Sequence, residues 1–142
     1  MISGKSFNFD QEGVAVSVPE GAKRIRAVKL PLDKLDAMPA KPGVFTPTRL
    51  VANIALEDEN SPGVYLSQFD EPFEMRVRYT PADLKKAQEA KSELKLAFWD
   101  GKEWVVFTKK KHNFELQSDN QGGGYGVVQL SRWGDPNISW GA

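Results

Sequence analysis

The chain contains 142 residues, of which 40% are hydrophobic and 27% are charged, a composition typical of globular proteins and not of disordered ones. Lysine and arginine together number 19, and so do aspartate and glutamate, so the formal charge is zero and no net field attracts nucleic acid. The absence of cysteine excludes disulfides, thiol catalysis and cysteine-based metal sites, and we expect residues 1–142 to fold as a single domain without them.

The first half of the chain predicts four short strands and one irregular connection. Apolar runs separated by Pro, Gly and Asp predict strands at 14–18, 25–30, 50–56 and 63–67. Segment 37–47 contains three prolines, and proline cannot donate a hydrogen bond to a neighbouring strand, so we expect a surface connection there.

The clearest strand lies at 73–79, where apolar and charged residues alternate strictly. Successive side chains of a strand point to opposite faces, so one set should face the core and the other should face water. This pattern is typical of an antiparallel sheet with one solvated face. The expected core residues are Phe73, Met75, Val77 and Tyr79, and the expected outward residues are Glu74, Arg76 and Arg78.

One short helix is predicted around residues 81–90. Thr80 is a favourable N-cap, a proline suits the first helical position, and Asp83 supplies an acid in the first turn. Leu84 and Ala87 are its only apolar anchors, so we expect a connection at the edge of the sheets and not a core helix.

A β-hairpin follows, with strands at 94–99 and 102–108 joined by Asp100 and Gly101. Asp-Gly is typical of a two-residue type I′ turn, because both central residues of that turn have positive φ. Both faces of the hairpin then contain apolar residues, as expected for an interior pair of strands. The two-residue turn sets Leu96 opposite Val105, Leu94 opposite Phe107 and Ala97 opposite Trp104.

Two more strands, at 113–117 and 126–131, bring the predicted total to about nine. The three lysines at 109–111 favour a solvated turn over a binding site for polyanions. The glycines at 122–124 favour a loop, because a strand follows them and a phosphate-binding loop requires a helix. Together these elements predict an all-β fold, a two-sheet antiparallel β-sandwich with one short helix around residues 81–90.

Three stretches of the sequence resemble ZU5 domains. Residues 13–22, GVAVSVPEGA, are similar to the motif GV-x-h-x-h-P-x-GA that opens these domains, where h is hydrophobic. Residues 72–84 and 98–105 resemble ZU5-like β-sandwich modules of bacterial surface proteins. The resemblance extends over residues 7–108, and it implies a β-sandwich that binds proteins or links domains in an extracellular or cell-surface location.

The same resemblance bears on catalysis. Some ZU5 relatives cleave themselves at a His-Phe-Ser motif, whereas the only histidine of this chain stands in His112-Asn113-Phe114-Glu115, without a serine nucleophile. We therefore expect no self-cleavage, and the lack of a triad motif favours a surface imidazole over a catalytic base. We predict that the protein is not an enzyme and that it needs no cofactor.

Two polar segments, at 57–60 and 118–120, supply oxygen atoms that could hold calcium. Neither has the spaced acidic pattern of a dedicated calcium loop, so both favour solvated turns. We predict no metal site.

Three aromatic residues toward the C-terminus are the candidate ligand-binding residues. Trp133 and Trp140 flank a turn-rich Gly-Asp-Pro-Asn segment, and Tyr125 follows the glycine loop. Exposed aromatic rings bind with little loss of conformational entropy, so the three could form a platform for a glycan. Docking of the last strand onto the core also explains the two tryptophans, and the pattern favours this explanation over the platform. Trp104 is expected in the core, and Trp99 is compatible with either environment.

We therefore expect a non-catalytic structural or protein-interaction module of a larger surface or exported protein. Its partner would be another protein or a neighbouring domain, and the alternative is a carbohydrate-binding module that uses Tyr125, Trp133 and Trp140. No apolar run approaches the roughly 18 residues of a membrane span, so we expect no membrane insertion. Residues 1–5 lack a signal-peptide core. We expect them to be disordered or foreign to the native protein, with any targeting segment outside the chain.

Overall fold

The chain forms two antiparallel sheets of five strands each, and residues of both sheets pack into one shared core. This arrangement confirms the predicted all-β, two-sheet sandwich. The structure is a computed structural model that describes residues 6–18, 25–32, 34–58, 60–61, 63–65, 68–132 and 137–142. Residues 1–5 and the end of the ZU5-like motif, residues 19–22, lie outside these described residues.

Ten strands, two helices and one 3-10 turn follow one another in the described part of the chain. In chain order they are β1 (Ser6–Phe9), β2 (Val14–Ser17), β3 (Ile25–Leu30), the 3-10 turn (Leu35–Ala37), β4 (Pro47–Asp58), β5 (Gln68–Tyr79), α1 (Pro81–Glu89), β6 (Lys95–Trp99), β7 (Trp104–Val106), α2 (Lys109–His112), β8 (Glu115–Ser118), β9 (Gly124–Arg132) and β10 (Asn137–Gly141). The first sheet has the order β1-β2-β5-β9-β8, and the second sheet has the order β3-β4-β10-β6-β7.

The main core lies between the two sheets. Alternation along β5 buries Phe73, Met75, Val77 and Tyr79, as the sequence predicts, and these side chains face inward from the middle of the first sheet. Trp140 of β10 is fully buried beneath them, with its ring edge-on to Tyr79 at a centroid distance of 5.5 Å. The centre of the sandwich is therefore an aromatic contact between the two sheets.

A second, smaller core lies on the outer face of the second sheet. Met38 and Phe45 are buried there against Trp104, whose indole N–H donates a hydrogen bond to the Met38 carbonyl at 3.0 Å. The Phe45 ring lies 5.4 Å from the Trp104 ring. Segment 37–47, predicted as a surface connection, is thus a cover that buries two of its own side chains, and it ends where Pro47 begins β4.

The sequence pattern does not predict two of the observed strands, and one predicted strand does not form in its described residues. The misses are β1, which pairs with β2, and β10, which lies in the centre of the second sheet. Of the predicted strand at 63–67, the described residues form only an isolated bridge between Tyr65 and Glu57. Residues 66–67 lie outside the described residues.

The hairpin of β6 and β7 forms, but its predicted register is wrong. Ala97 lies opposite Val106 and not opposite Trp104, which instead faces Trp99. The loop therefore contains residues 100–103, twice the predicted length. The shift is an even number of residues, so each side chain stays on its predicted face.

The Asp100 side chain explains the longer loop. Its carboxylate accepts hydrogen bonds from the backbone N–H groups of Lys102 and Glu103, both at 2.8 Å. A type I′ turn requires positive φ at both central residues, but only Gly101 of the Asp-Gly pair has one, at 101°. These side-chain hydrogen bonds of Asp100 stabilise the four-residue loop relative to the two-residue type I′ turn.

The predicted helix is confirmed as α1. Thr80 and Asp83 form a capping box, in which the Thr80 side chain accepts from the Asp83 N–H and Asp83 accepts from the Thr80 N–H. A second, one-turn helix, α2, contains the three lysines of the predicted solvated turn, and their side chains are exposed.

Candidate functional site

β8 is one of the two edge strands of the first sheet, so only β9 lies beside it in the described part of the chain. All four residues of β8 are exposed. An edge strand offers one row of backbone N–H and C=O groups to another chain, and many proteins protect such edges. The free backbone groups, the neighbouring side chains and the charges around β8 therefore determine what this edge can bind.

The hydrogen-bond ladder shows which groups of β8 are available. Just beyond β8, the Asp119 N–H donates to the Gly123 carbonyl at 3.0 Å, and the Gly123 N–H donates to the Asp119 carboxylate at 3.2 Å, so these two residues occupy a hydrogen-bonded position of the ladder. Such pairs alternate along an antiparallel ladder, so the odd-numbered residues of β8 bond to β9. The N–H and C=O groups of Leu116 and Ser118 consequently point away from β9, toward the free edge.

An apolar groove lies between α1 and β8. Its volume is about 550 Å³, and its apolar lining residues are Leu84 and Ala87 of α1, Leu94, Phe114 and Leu116. Ala87 and Leu94 belong to the main core, so the groove leads into the space between the sheets. Its volume lies within the range of about 300–1,000 Å³ that is typical of ligand-binding clefts.

Leu116 is the most informative residue of the groove. It lies opposite Gly126, and a Cβ atom on Gly126 would point at the Trp140 ring, so this face of the ladder is the inner face. Leu116 nevertheless remains 42% exposed, whereas the inward-facing Val128 and Leu130 of neighbouring β9 are buried. Leu116 therefore faces inward from an edge strand but lacks the neighbouring side chains that bury Val128 and Leu130. A strand added beside β8 could supply such neighbours.

Among the described residues, the charged residues that line the groove are two acids, Glu93 and Glu115, and both are exposed. The Glu115 carboxylate lies 3.6 Å from the Lys109 ammonium group, and the two side chains are 51% and 77% exposed. An ion pair with this exposure contributes little to stability. The groove is therefore apolar inside and acidic at its rim.

An ion pair fixes the helix that forms one wall of the groove. Arg49 of β4 holds the Asp83 carboxylate through two hydrogen bonds, Nε to Oδ1 at 2.9 Å and Nη2 to Oδ2 at 2.7 Å. The Arg49 guanidinium and the Trp140 indole N–H also donate to the Arg78 carbonyl, at 3.2 and 2.8 Å. These bonds join α1 to both sheets and so anchor the groove wall to the sandwich.

The contacts of Asp83 also lower its pKa. Burial alone would raise the pKa of this carboxyl, but the hydrogen bonds from Arg49 and from the backbone and hydroxyl of Thr80 outweigh burial. The net effect holds the pKa of Asp83 below its ordinary value, so the side chain is a carboxylate near neutral pH.

The predicted aromatic platform does not form as expected. Trp140 is fully buried in the main core, so it presents no face to a ligand, and the alternative of a docked last strand describes it correctly. Tyr125 is 38% exposed, on the outer face of the first sheet, between Arg78 of β5 and Gln117 of β8. Trp133 lies outside the described residues. The structure therefore separates Tyr125 from Trp140.

The other tryptophans belong to the second core. Trp104 is fully buried, as predicted, and Trp99 packs edge-on against it at 5.5 Å. Trp99 is therefore a partner of the Trp104 ring at the margin of that core.

His112 packs against the Phe107 ring at a centroid distance of 5.1 Å, and its Nδ1 accepts a hydrogen bond from the Thr108 backbone. Burial, and then the nearby Lys111, lower the pKa of His112, so the imidazole is neutral at physiological pH. It is half-buried, which corrects the expectation of a surface imidazole.

Two further carboxylates with lowered pKa values stabilise loops. Glu57 is buried and bonds to the Arg26 guanidinium and to the Gly63 N–H, in that order of effect on its pKa. The pKa of Asp100 is lowered by the backbone N–H groups of Glu103 and Lys102. Each shifted acid is therefore explained by a structural contact, and Glu57 is not part of the predicted solvated turn.

Within the described ranges, no group of three or more His, Asp or Glu side chains is arranged to hold a metal ion. In the same part of the chain, no helix is long and apolar enough to cross a membrane.

The groove cannot be predicted from the sequence because its two walls are distant along the chain. The sequence predicts Leu84 and Ala87 as the apolar anchors of α1, and it predicts a strand at 113–117. The sequence signal for this surface is one apolar residue, Leu116, between two polar neighbours on a predicted strand. The placement of α1 beside β8 depends on the tertiary fold. Comparison of the chain with protein-family models, curated proteins and solved structures found no match.

Proposed function

We propose that this protein is a non-catalytic interaction module that binds a segment of a partner protein in the groove between α1 and β8. The main support is Leu116, which faces the interior of the sandwich and yet remains 42% exposed. The adjacent free edge of β8 supplies backbone groups for binding, and the apolar groove supplies a place for side chains.

The roles of the ionisable residues support a non-catalytic function. Asp83 caps α1 and binds Arg49, Glu57 binds Arg26, and Asp100 bonds to its own turn. The only histidine packs against Phe107. Groups that serve catalysis usually have shifted pKa values near a cleft, whereas these shifted groups have structural partners outside the groove. The surface or exported location implied by the ZU5-like motifs belongs to this proposal.

Selection from a random peptide library tests the proposal while leaving the identity of the partner open. Peptides displayed on phage are selected on the immobilised protein, synthesised, and titrated against variants. Leu116→Glu should weaken their binding at least about tenfold, because it places a charge in the apolar groove and tenfold corresponds to only about 1.4 kcal/mol.

Val64→Glu is the matched control, because Val64 is an exposed apolar residue, 52% accessible, that does not line the groove. Selected peptides should bind this variant as they bind the original protein. Peptides that bind Leu116→Glu unchanged would remove the groove from consideration as the binding surface.

A second candidate function is glycan binding, for which Tyr125 is the predicted platform residue that is exposed among the described residues. Its partly exposed ring lies between Arg78 and Gln117 on neighbouring strands, and such a ring with polar neighbours can stack on a sugar. Affinity electrophoresis in gels with soluble polysaccharides tests this candidate. Retardation that disappears in Tyr125→Ala would support it, and unretarded migration in every gel would reject it.

A further inference from the structure

The free edge of β8 and the adjacent groove together specify how a partner would bind. Leu116 and Ser118 direct their backbone groups outward, and the Leu116 side chain points to the groove side of the sheet. A strand placed beside β8 would therefore bond to these two residues, and its residue opposite Leu116 would also point toward the groove. Backbone pairing and side-chain burial would occur in the same complex.

The acidic rim distinguishes between possible occupants. In a two-fold pairing of two copies about Gln117, which uses the outward groups of both Leu116 and Ser118, Glu115 would lie opposite Asp119 of the second copy. Like charges directly opposite each other are destabilising. A pairing centred on Leu116 would instead require the Phe114 N–H, which already donates to the Thr108 carbonyl at 3.3 Å. The charges and bonds therefore favour a different chain over a second copy.

We propose that β8 binds an extended segment of a partner protein as an added antiparallel strand. The segment has apolar residues opposite Ser118 and Leu116, and a lysine or arginine opposite Glu115. This inference rests on the proposed function and specifies its mode. All strand pairs in the described sheets are antiparallel, so an antiparallel addition continues the existing ladder.

The test uses a synthetic peptide, fluorescein-labelled TVTVKVK-amide. Its second and fourth residues, both valine, are designed to lie opposite Ser118 and Leu116, and its fifth residue, lysine, opposite Glu115. Fluorescence anisotropy should show saturable binding to the intact protein. N-methylation of the second and fourth residues should weaken binding at least tenfold, because it removes the N–H groups that bond to β8.

N-methylation of the third and fifth residues is the matched control. Their N–H groups point away from β8 in the same complex, so binding should change less than about threefold. Both peptides have the same number of added methyl groups, and the protein is unaltered, so folding defects cannot explain a difference.

A charge exchange tests the position of the basic residue. Replacing the fifth residue of the peptide by glutamate should weaken binding several-fold, and Glu115→Lys in the protein should restore it. Glu89→Lys, at an exposed position on α1 that does not line the groove, should not restore it. Lack of rescue by Glu115→Lys would contradict the proposed register.

The outcomes separate this inference from the proposed function. Equal weakening by the two methylation patterns would show that the peptide binds without strand addition, and the inference would fail while the groove remained a binding site. Failure of the probe to bind, together with library peptides that require Leu116, would have the same meaning. Failure of both the probe and the library peptides would overturn the inference and the proposed function. Self-association of the protein that Leu116→Glu abolishes would identify a second copy as the occupant and also overturn the inference.

Discussion

The sandwich has two apolar surfaces outside its main core, and they differ in whether another segment of the described chain covers them. The outer face of the second sheet is covered by the chain itself, since Met38 and Phe45 of the segment before β4 bury Trp104. Among the described residues, no segment covers the groove between α1 and β8 in this way, and Leu116 in it remains 42% exposed. An irregular segment of this fold covers apolar surface beside Trp104. The exposure of apolar side chains in the groove is therefore not a general property of the fold, and it marks the groove as a candidate binding surface.

The covered surface should depend strongly on its cover. Phe45→Ala should destabilise the protein by about 3–5 kcal/mol, because it removes a buried aromatic ring and leaves a cavity over Trp104. Urea unfolding monitored by tryptophan fluorescence measures this change. Val44→Ala, at the exposed neighbouring position, should change stability by less than about 0.5 kcal/mol. Similar losses in both variants would mean that Phe45 is not the cover.

The wall of the uncovered groove should depend on the pair of Arg49 and Asp83. Asp83→Asn should cost about 1–3 kcal/mol, because it weakens charge-assisted hydrogen bonds to Arg49 and to the N-terminus of α1. Urea unfolding measures this loss as well. Lys85→Ala, at an exposed position of the same helix, is the control and should have little effect.

The same variant should alter the pH dependence of stability. Although burial opposes it, hydrogen bonding holds the folded-state pKa of Asp83 below its unfolded value near 3.8. A group with a depressed pKa contributes its stability above the unfolded value and loses it as the pH falls through the folded value. The unfolding free energy of the original protein should therefore fall below about pH 4 more steeply than that of Asp83→Asn. Parallel profiles would contradict this role of Asp83.

Packing across the middle of the sandwich should tolerate little change beside the groove. A Cβ atom on Gly126 would lie 2.6 Å from the Trp140 ring, so Gly126→Ala should destabilise the protein by about 1–3 kcal/mol through overpacking. Thermal unfolding measures the loss, and Ser131→Ala, at an exposed position on the same strand, is the control. An unchanged melting temperature for Gly126→Ala would show that the indole can move aside.

The smallest effect on stability is expected at the groove itself. Leu116→Ser should change the unfolding free energy by less than about 1 kcal/mol, because the side chain is already 42% exposed. Binding of selected peptides to the same variant should nevertheless weaken. A large loss of stability in Leu116→Ser would show that the groove is an ordinary part of the core, and the contrast with the covered surface would disappear.

The sequence predicted features that depend on local pattern. The alternation of Phe73, Met75, Val77 and Tyr79 identified a buried face, and Thr80 and Asp83 identified the start of α1. The hairpin faces were also correct, although Asp100 selected a longer loop than Asp-Gly usually forms. Local hydrogen bonding and two-residue periodicity determine these features, so they can be read from neighbouring residues.

Features that depend on distant contacts were not predicted. β10 has no alternation of exposure because all five of its residues are buried, and the Ser139 hydroxyl bonds to the Arg49 carbonyl at 3.0 Å instead of to water. The sequence is therefore compatible with Trp140 either in an exposed platform or on a last strand that docks onto the core, and only the fold shows that the second is correct. Met38 and Phe45 lie in a proline-containing segment, and only the position of Trp104 makes them core residues. The groove likewise requires α1 and β8 to be brought together by the fold.

The most direct test of the groove as a binding site maps bound peptides onto the protein. Backbone amide resonances of the isotope-labelled protein are followed by NMR while a library-selected peptide is added. We expect the largest shifts at Leu116 and Ser118, with further shifts at Leu84, Ala87 and Leu94 of the groove. Shifts confined to Tyr125 and its neighbours on the outer face of the first sheet would contradict binding in the groove.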